Sequence, residues 1–505
     1  MKPYYFLVLL SLSLSACSKL KSDPPDGPDV PDTPTTNLAP GDFTVKVDSV
    51  FYNRAVISWS KATDPENDTV YYDIWLNDKL VATDLTGLSS SLVELTELTN
   101  YNGKVIARDI KNNKTEKVFS FTTEKFYLRF LKLYAYDQFI DALHPGGGET
   151  KQLIKMRDGS YIVVGSSYTD GAYANGGQIF VMKTDYEGNE IWKKHYPYTV
   201  GPAWDVAASE SLTGVLVASH FNLLSIDNEG NLLWYKKIAG YDDGDGGSEI
   251  RSVKQDGNGN IIIVGGRTAP EQDIVQEGVV TKLDQSGNIL WEKAFKPSMR
   301  SFLYDVQVNT SNEIIVLGNT ETSGITYEQY LNGSPEQTDF WLLKLSGNGD
   351  AIWQKTYGDD RFDIPAKLLL KSNGNYVFVG TSEGSTYRGR IFETTYDGTQ
   401  IRNLTYGPSI SFTLSVAETQ DGGLVTTGFA DISSTKALQI HKFNSGGVEE
   451  WNQELYEPGE FLFGRAILQE ADGGYRIAAS QASYIGYGNP AHIAIYKTDP
   501  LGKYK

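Results

Sequence analysis

Five carboxylates hold corresponding places in a repeated pattern. Glu149, Asp205, Glu249, Asp305 and Asp363 each stand just before a segment expected to form the innermost strand of a repeated sheet. If these strands converge on one axis, the carboxylates form a ring at the channel mouth that could hold a cation such as Ca2+, or a basic group. Alternatively, each accepts backbone N–H bonds from its own approach loop, since a position repeated around a ring usually serves the repeat. A second set is aromatic and lies in long connections: Tyr168 and Tyr173, Tyr327 and Tyr330, Tyr387 beside Arg388, and Tyr484 and Tyr487. Tyrosine combines a flat apolar ring with a hydrogen-bonding tip, which suits sugars or peptide segments. The bland alternative is that these rings shield loop backbone. The five histidines, His144, His195, His220, His441 and His492, show no metal-ligand spacing. No Gly-rich phosphate loop or Gly-x-Ser-x-Gly elbow occurs. A pair of carboxylates for glycoside hydrolysis is conceivable, but nothing selects one pair. No catalytic residue is therefore assigned, and the residue types favour binding.

The elements that position these residues repeat. Gly188 and Trp192, Gly230 and Trp234, Gly287 and Trp291, Gly349 and Trp353, and Gly447 and Trp451 keep one spacing. Upstream of each phrase come two β-rich runs, such as 161–165 and 179–185, or 261–265 and 279–284. A period of about 45–60 residues with several strands per repeat marks a β-propeller. Seven such pairs of runs predict seven blades. The fifth repeat carries Arg402 in place of Trp, and the seventh lacks a full outer strand after Gly502. An open edge invites aggregation. Residues 126–136 are strand-like and are expected to supply that strand, closing the ring from the N-terminal side. Strand direction alternates within a blade, so the second-to-third connections and the approaches to the innermost strands share one face. The opposite face has plain turns, such as Arg157-Asp158-Gly159 and Asp256-Gly257-Asn258-Gly259.

The run Leu283-Asp284-Gln285-Ser286-Gly287-Asn288-Ile289-Leu290-Trp291 resembles the repeat of pyrroloquinoline-quinone-type (quinoprotein-like) propellers. That resemblance implies that Trp docks one blade on the next. The superfamily includes quinone dehydrogenases and an outer-membrane-assembly lipoprotein. This chain departs from the enzymes, having no vicinal Cys pair and no quinone-site cluster.

The 505 residues carry a net charge of −18, which makes nucleic acid an unexpected partner. Residues 1–16 read as a secretory signal, with Lys2 ahead of an apolar core too short to span a bilayer. Leu14-Ser15-Ala16-Cys17 resembles a bacterial lipobox, which implies cleavage before Cys17 and lipidation of that residue. Cys17 is the only cysteine, so intrachain disulfides are excluded. Residues 17–40 are Pro- and Asp-rich and form a tether; at about 3.1 Å per residue it reaches roughly 70 Å.

Residues 41–124 alternate with period 2 between short turns. Trp59 within Ala55–Trp59, and Tyr101 within Leu98–Arg108, fit the core Trp and tyrosine-corner positions of fibronectin type III domains, which this segment resembles. The loop Asp64-Pro65-Glu66-Asn67-Asp68 is a weak Ca2+ candidate and otherwise a polar turn. The expectation is an all-β chain: a fibronectin type III-like sandwich (41–124), then a seven-bladed propeller (125–505). Its expected role is that of a non-catalytic, lipid-anchored envelope protein, probing glycan or another envelope protein with its loop-rich face. The rival roles are a scaffold for outer-membrane protein assembly and an enzyme acting on polysaccharide.

Overall fold

β-branched and aromatic runs broken by Gly, Asp and Asn fold as strands and tight turns throughout, and no helix occurs among the described residues. The computed structural model describes residues 37–135, 147–168, 177–200, 206–238, 249–268, 275–322, 337–359, 361–432, 435–483 and 492–505. The chain divides into two compact units, Met1–Phe126 and Tyr127–Lys505. Residues 1–36, with the expected signal, Cys17 and most of the tether, lie outside the described residues.

The first unit contains β1 (Val45–Val50), β2 (Ala55–Trp59), β3 (Tyr71–Leu76), β4 (Lys79–Leu85), β5 (Ser89–Leu92), β6 (Asn100–Arg108) and β7 (Lys114–Thr122). One antiparallel sheet runs β1-β2-β5 and the other β4-β3-β6-β7. Their inner faces share a core of Ile57, Trp59, Tyr72, Ile74, Val105 and Phe121. Trp59 packs on Tyr72 with ring centroids 5.5 Å apart. The Tyr101 hydroxyl accepts the Thr96 N–H at 2.9 Å, tying the approach to β6 back to its own strand. In the 64–68 loop, one Asp64 oxygen accepts the N–H groups of Glu66 and Asp68, each at 3.0 Å, so that oxygen caps the turn.

The second unit opens with β8 (Phe130–Ala135) and continues as four-stranded antiparallel meanders. The first is β9 (Gly147–Lys155), β10 (Tyr161–Tyr168), β11 (Gly177–Thr184) and β12 (Glu190–Val200). The next is β13 (Val206–Glu210), β14 (Gly214–Ser219), β15 (Asn222–Asp227) and β16 (Leu232–Lys237). Then come β17 (Glu249–Gln255), β18 (Ile261–Thr268), β19 (Gln276–Leu283) and β20 (Ile289–Phe295). They are followed by β21 (Ser301–Val308), β22 (Ile314–Glu321), β23 (Thr338–Leu345) and β24 (Ala351–Tyr357). β25 (Phe362–Leu370), β26 (Tyr376–Glu383), β27 (Tyr387–Thr394) and β28 (Gln400–Tyr406) form another meander, joined to the preceding one by a single parallel pairing of Thr338 with Phe362. After it come β29 (Ser411–Glu418), β30 (Leu424–Ile432), β31 (Thr435–Phe443) and β32 (Glu449–Leu455). The last sheet is β33 (Glu460–Gln469), β34 (Tyr475–Ser483) and β35 (His492–Lys497), with β8 as its fourth strand.

The first strands β9, β13, β17, β21, β25, β29 and β33 each pack on the next, and β33 packs on β9, so they close a ring. Apolar clusters fill the wedges between consecutive sheets, including the wedge between the β33 sheet and the β9 sheet. This is a propeller-type arrangement.

Two repeated devices hold it. Trp192, Trp234, Trp291 and Trp353 each cover the turn glycine of the following sheet; at Gly349 (φ +82°) a Cβ would lie 2.8 Å from the Trp291 ring. Arg402 takes the Trp place and covers Gly447. The second device is a buried third-strand lysine that neutralises a turn carboxylate. The pairs are Lys183 with Asp158 (2.8 Å), Lys282 with Asp256 (2.9 Å), Lys344 with Glu313 (2.8 Å), Lys442 with Asp421 (2.7 Å) and Lys497 with Asp472 (2.8 Å). The tight-turn face is therefore more than turn chemistry: its acids balance lysines inside the sheets. Burial opposes ionisation at Asp158 and Asp421, but hydrogen bonds from Lys183 and Lys442 prevail and hold both carboxyls at about 2.

Candidate functional site

The ring encloses a central cavity of about 350 Å3, lined from all seven first strands. What enters it is decided by a β-bulge. On β9, β17, β21, β25, β29 and β33, one residue is skipped in the pairing with the second strand: Lys151, Arg251, Tyr304, Ala366, Leu414 and Arg465. β13 pairs without a bulge. All six skipped residues line the cavity. A bulge turns a side chain that alternation would send elsewhere. It also presses the inner strand against its neighbour: a Cβ on Gly265 would fall 1.9 Å from the Glu249 carbonyl oxygen.

The residue after each bulge stitches the ring. The Gln152 side-chain oxygen accepts the Ala208 N–H (2.6 Å), Asp305 accepts the Leu368 N–H (2.9 Å), and the Ser415 hydroxyl accepts the Ile467 N–H (3.3 Å). Ser252 donates to the other Asp305 oxygen at 2.7 Å. Asp305 thus ties three sheets together.

This geometry corrects the reading of the carboxylates. Glu149, Glu249, Asp305 and Asp363 lie on the innermost strands, not before them, and Asp205 lies outside the described residues. They are not register equivalents either. Glu149 and Glu249 stand two residues before their bulges, Asp363 three before, and Asp305 one after. Three of the four face cations. Glu149 meets Lys151 (2.6 Å) and Arg465 (3.2 Å), Glu249 touches Arg251, and Asp305 meets Lys367 (3.2 Å). Asp305 does accept a backbone N–H, but from the next sheet and not from its own approach. Among the described residues no group of three or more His, Cys, Asp or Glu is placed to hold a metal ion.

Burial pushes the Glu149 carboxyl up, but Arg465 and Lys151 outweigh it and hold it below the usual range. Burial, with repulsion from Arg465, brings Lys151 down to about 8 against the pull of Glu149. Lys254 also falls to about 8 through burial and repulsion from Lys367, opposed by Asp305. Asp363 is different. Burial pushes it up to about 7, aided by Asp359 and Asp339 and opposed by Ser382 and Arg390. Ser382 donates to one of its oxygens, and the other has no hydrogen-bond partner among the described residues.

Of the loop tyrosines, Tyr173, Tyr327, Tyr330, Tyr484 and Tyr487 lie outside the described residues, and Tyr168 closes β10. Tyr387 opens β27 and does not sit in the loop proper. Its ring stacks on Phe412 (centroids 5.0 Å apart), Phe412 on Phe429 (4.8 Å), and Phe429 meets Phe463 edge-on (4.9 Å). All four are half-buried, and the row crosses three consecutive sheets. Phe463 continues to the cavity, because Arg465 on the same strand lies 5.3 Å from its ring centroid. Across the ring, a second hollow of about 210 Å3 shares Arg251 and Tyr304 with the central cavity and adds Glu249, Arg300, Phe302 and Asn319.

Sequence reasoning missed Lys151, Arg251, Lys367 and Arg465, together with the phenylalanines of the row. The glycine ending many second-strand runs was the available signal, because it marks where the inner strand bulges.

No family model matches the chain, and no curated protein matches it. Among solved structures it is similar to the Pan2 WD40 domain of Neurospora crassa, with 11% identity, TM-score 0.45, and coverage of 75% of this chain and 99% of that one. It is also similar to the exotype rhamnogalacturonan lyase YesX (10% identity, TM-score 0.40, 90% of each chain). A Synechocystis apocarotenoid oxygenase mutant gives 11% identity and TM-score 0.40, covering 75% of this chain and 94% of that one. All three lie below a TM-score of 0.5 and carry no argument about ligand or activity.

Proposed function

We propose that this chain is a lipid-anchored, outer-membrane envelope protein that binds and does not catalyse. In this reading Cys17 carries the lipid, residues 17–40 are the tether, and residues 41–124 are a fibronectin type III-like spacer. Residues 125–505 are a seven-bladed propeller closed by β8, presenting its loop-rich face to a glycan or another envelope protein. Glycan is the preferred ligand. The observation that carries the proposal is the stacked row Tyr387-Phe412-Phe429-Phe463, half-buried and running across three sheets toward the central cavity. The half-buried row leaves apolar aromatic surface in series, on which sugar rings can pack. The first unit's 3 + 4 strand order, with buried Trp59 and the Thr96–Tyr101 tie, supports the spacer assignment. No described helix is long and apolar enough to cross a membrane.

The test is a glycan array probed with the full chain and with a Tyr387→Ala, Phe412→Ala double variant. Saturable binding by the parent, weakened about tenfold or more in the variant, is expected from the loss of two stacking rings. Binding that survives the double substitution would remove the aromatic row from the function.

A further inference from the structure

We propose that the central cavity receives the uncharged terminal sugar residue of a glycan, end-on. The ring face of that residue lies against β21, β25 and β29, and its hydroxyls against β33, β9 and β17. The inference rests on the reading of the aromatic row as a glycan surface and deepens it: the row carries the chain, and the cavity recognises its end.

The cavity has two unlike walls, and consecutive sheets divide between them. At the bulge position β21, β25 and β29 place Tyr304, Ala366 and Leu414 in the cavity. At the same position β33, β9 and β17 place Arg465, Lys151 and Arg251. Two residues earlier, toward the mouth, the first three sheets carry Phe302, Ile364 and Phe412, whereas β9 and β17 carry Glu149 and Glu249. Residues two apart on a strand share a face. The contacts agree: the Phe302 and Tyr304 rings are 5.6 Å apart, and Glu149 meets Lys151 at 2.6 Å. One position of the repeat thus accepts Ala, Leu, Tyr, Lys and Arg, so ring closure does not impose this sorting of apolar from charged.

A pyranose is two-sided in the same way. The C–H groups of its face pack on apolar and aromatic surface, and the hydroxyls on its rim both donate and accept. The charged wall offers both roles side by side. Glu149 faces Lys151 and Arg465 (3.2 Å), and Glu249 touches Arg251. Carboxylate oxygens accept, while ammonium and guanidinium N–H groups donate, and hydrogen bonds to charged groups are the stronger ones. Burial pushes the Glu249 carboxyl up to about 8 against the pull of Lys151, so near neutral pH it can donate as well. A sugar carboxylate would instead meet Glu149, which Arg465 and Lys151 hold ionised below the usual range. An uncharged residue avoids that repulsion.

The opening sets the direction of entry. The first strands close a ring, so a glycan cannot run across the cavity, but its tip can enter. A volume of about 350 Å3 is near the lower end for a small-ligand site, with room for the end of a chain and not for its length. The row reaches the mouth at this place. Phe412 and Phe463, two of its four rings, each stand two residues before a bulge.

The experiment is a glycan array of oligosaccharides that share a backbone and differ in terminal residue, uncharged or uronic. It is probed with the full chain and with its Ala366→Tyr and Leu414→Tyr variants. Each substitution gives the apolar wall a side chain that the fold already holds at the equivalent place, Tyr304, and leaves the four rings of the row intact. Binding by the natural chain should follow the terminal residue and be strongest for an uncharged one. It should fall roughly tenfold or more in either variant, with circular dichroism showing that the variants fold. If no glycan binds, the reading of the row fails and this inference with it. If glycan binds and is weakened by Tyr387→Ala with Phe412→Ala, but not by folded Ala366→Tyr or Leu414→Tyr, the row stands and the cavity site is overturned. Binding that follows the backbone whatever the terminal residue, or that favours uronic ends, overturns the inference without recourse to either variant.

Discussion

Phe130 lies against Gly188, so close that a Cβ on the glycine would fall 2.8 Å from the phenylalanine ring. Trp291 stands in the same relation to Gly349. The register agrees: Phe130 is opposite Lys497 as Trp192 is opposite Lys183 and Trp291 opposite Lys282. β8 is therefore the equivalent of the Trp-bearing fourth strands, with Phe in the Trp place. Phe130→Ala should destabilise the second unit by about 2 kcal/mol, the lower end for a large-to-small change because Phe130 is only half-buried. Phe130→Trp should be tolerated. Urea denaturation followed by tryptophan fluorescence reads both, since Trp192, Trp234, Trp291, Trp353 and Trp451 sit in these seams. An unchanged midpoint for Phe130→Ala would mean that β8 is not what closes the ring.

Much of this was legible in the sequence, for a physical reason. A large ring filling the wedge between sheets must recur once per repeat, and so must the glycine that makes room for it. The 130–135 strand could be found because the last repeat lacked its own. The cavity was not legible. A bulge inserts one residue without a change of composition, so Lys151 and Arg465 look like outward positions of an alternating strand. The carboxylates were noticed because they are charged and recur, but a one- or two-residue difference in register separates Glu149 from Asp305, and charge counting without register cannot see it.

The β25–β28 sheet inverts the buried ion pair of its neighbours. Glu393 occupies the third-strand lysine place, opposite Arg402 on the fourth strand, and pairs with Lys371 of the turn (3.4 Å) and with Arg402 (2.9 Å). Both Glu393 and Lys371 are 4% exposed. The substitution of Trp by Arg402 is thus tied to the reversal: a cation is needed where the lysine is gone. Glu393→Lys alone should cost about 3–5 kcal/mol, because it leaves three buried or half-buried cations together. Adding Lys371→Glu should recover most of that loss, and Arg402→Trp a further part. A double-mutant cycle on thermal midpoints checks this; additive effects of the two charge reversals would mean that the groups do not interact.

Asp363 makes stability depend on pH in a direction opposite to most carboxylates. Burial raises its carboxyl from the ordinary 3.8 to about 7, and one oxygen lacks a hydrogen-bond partner among the described residues. The folded chain therefore holds a proton there that the unfolded chain has released between about pH 4 and pH 7. Since the folded state binds more protons in that window, this residue's contribution to stability falls as pH rises through it and levels off above about 7. Asp363→Asn keeps the shape and removes the ionisation. Relative to the natural chain, the variant should gain stability progressively from about pH 4 to pH 7, with the difference constant at higher pH. Urea unfolding of both chains across that range measures the difference directly. A difference that does not vary with pH would show that Asp363 ionises as readily in the folded chain as in the unfolded one.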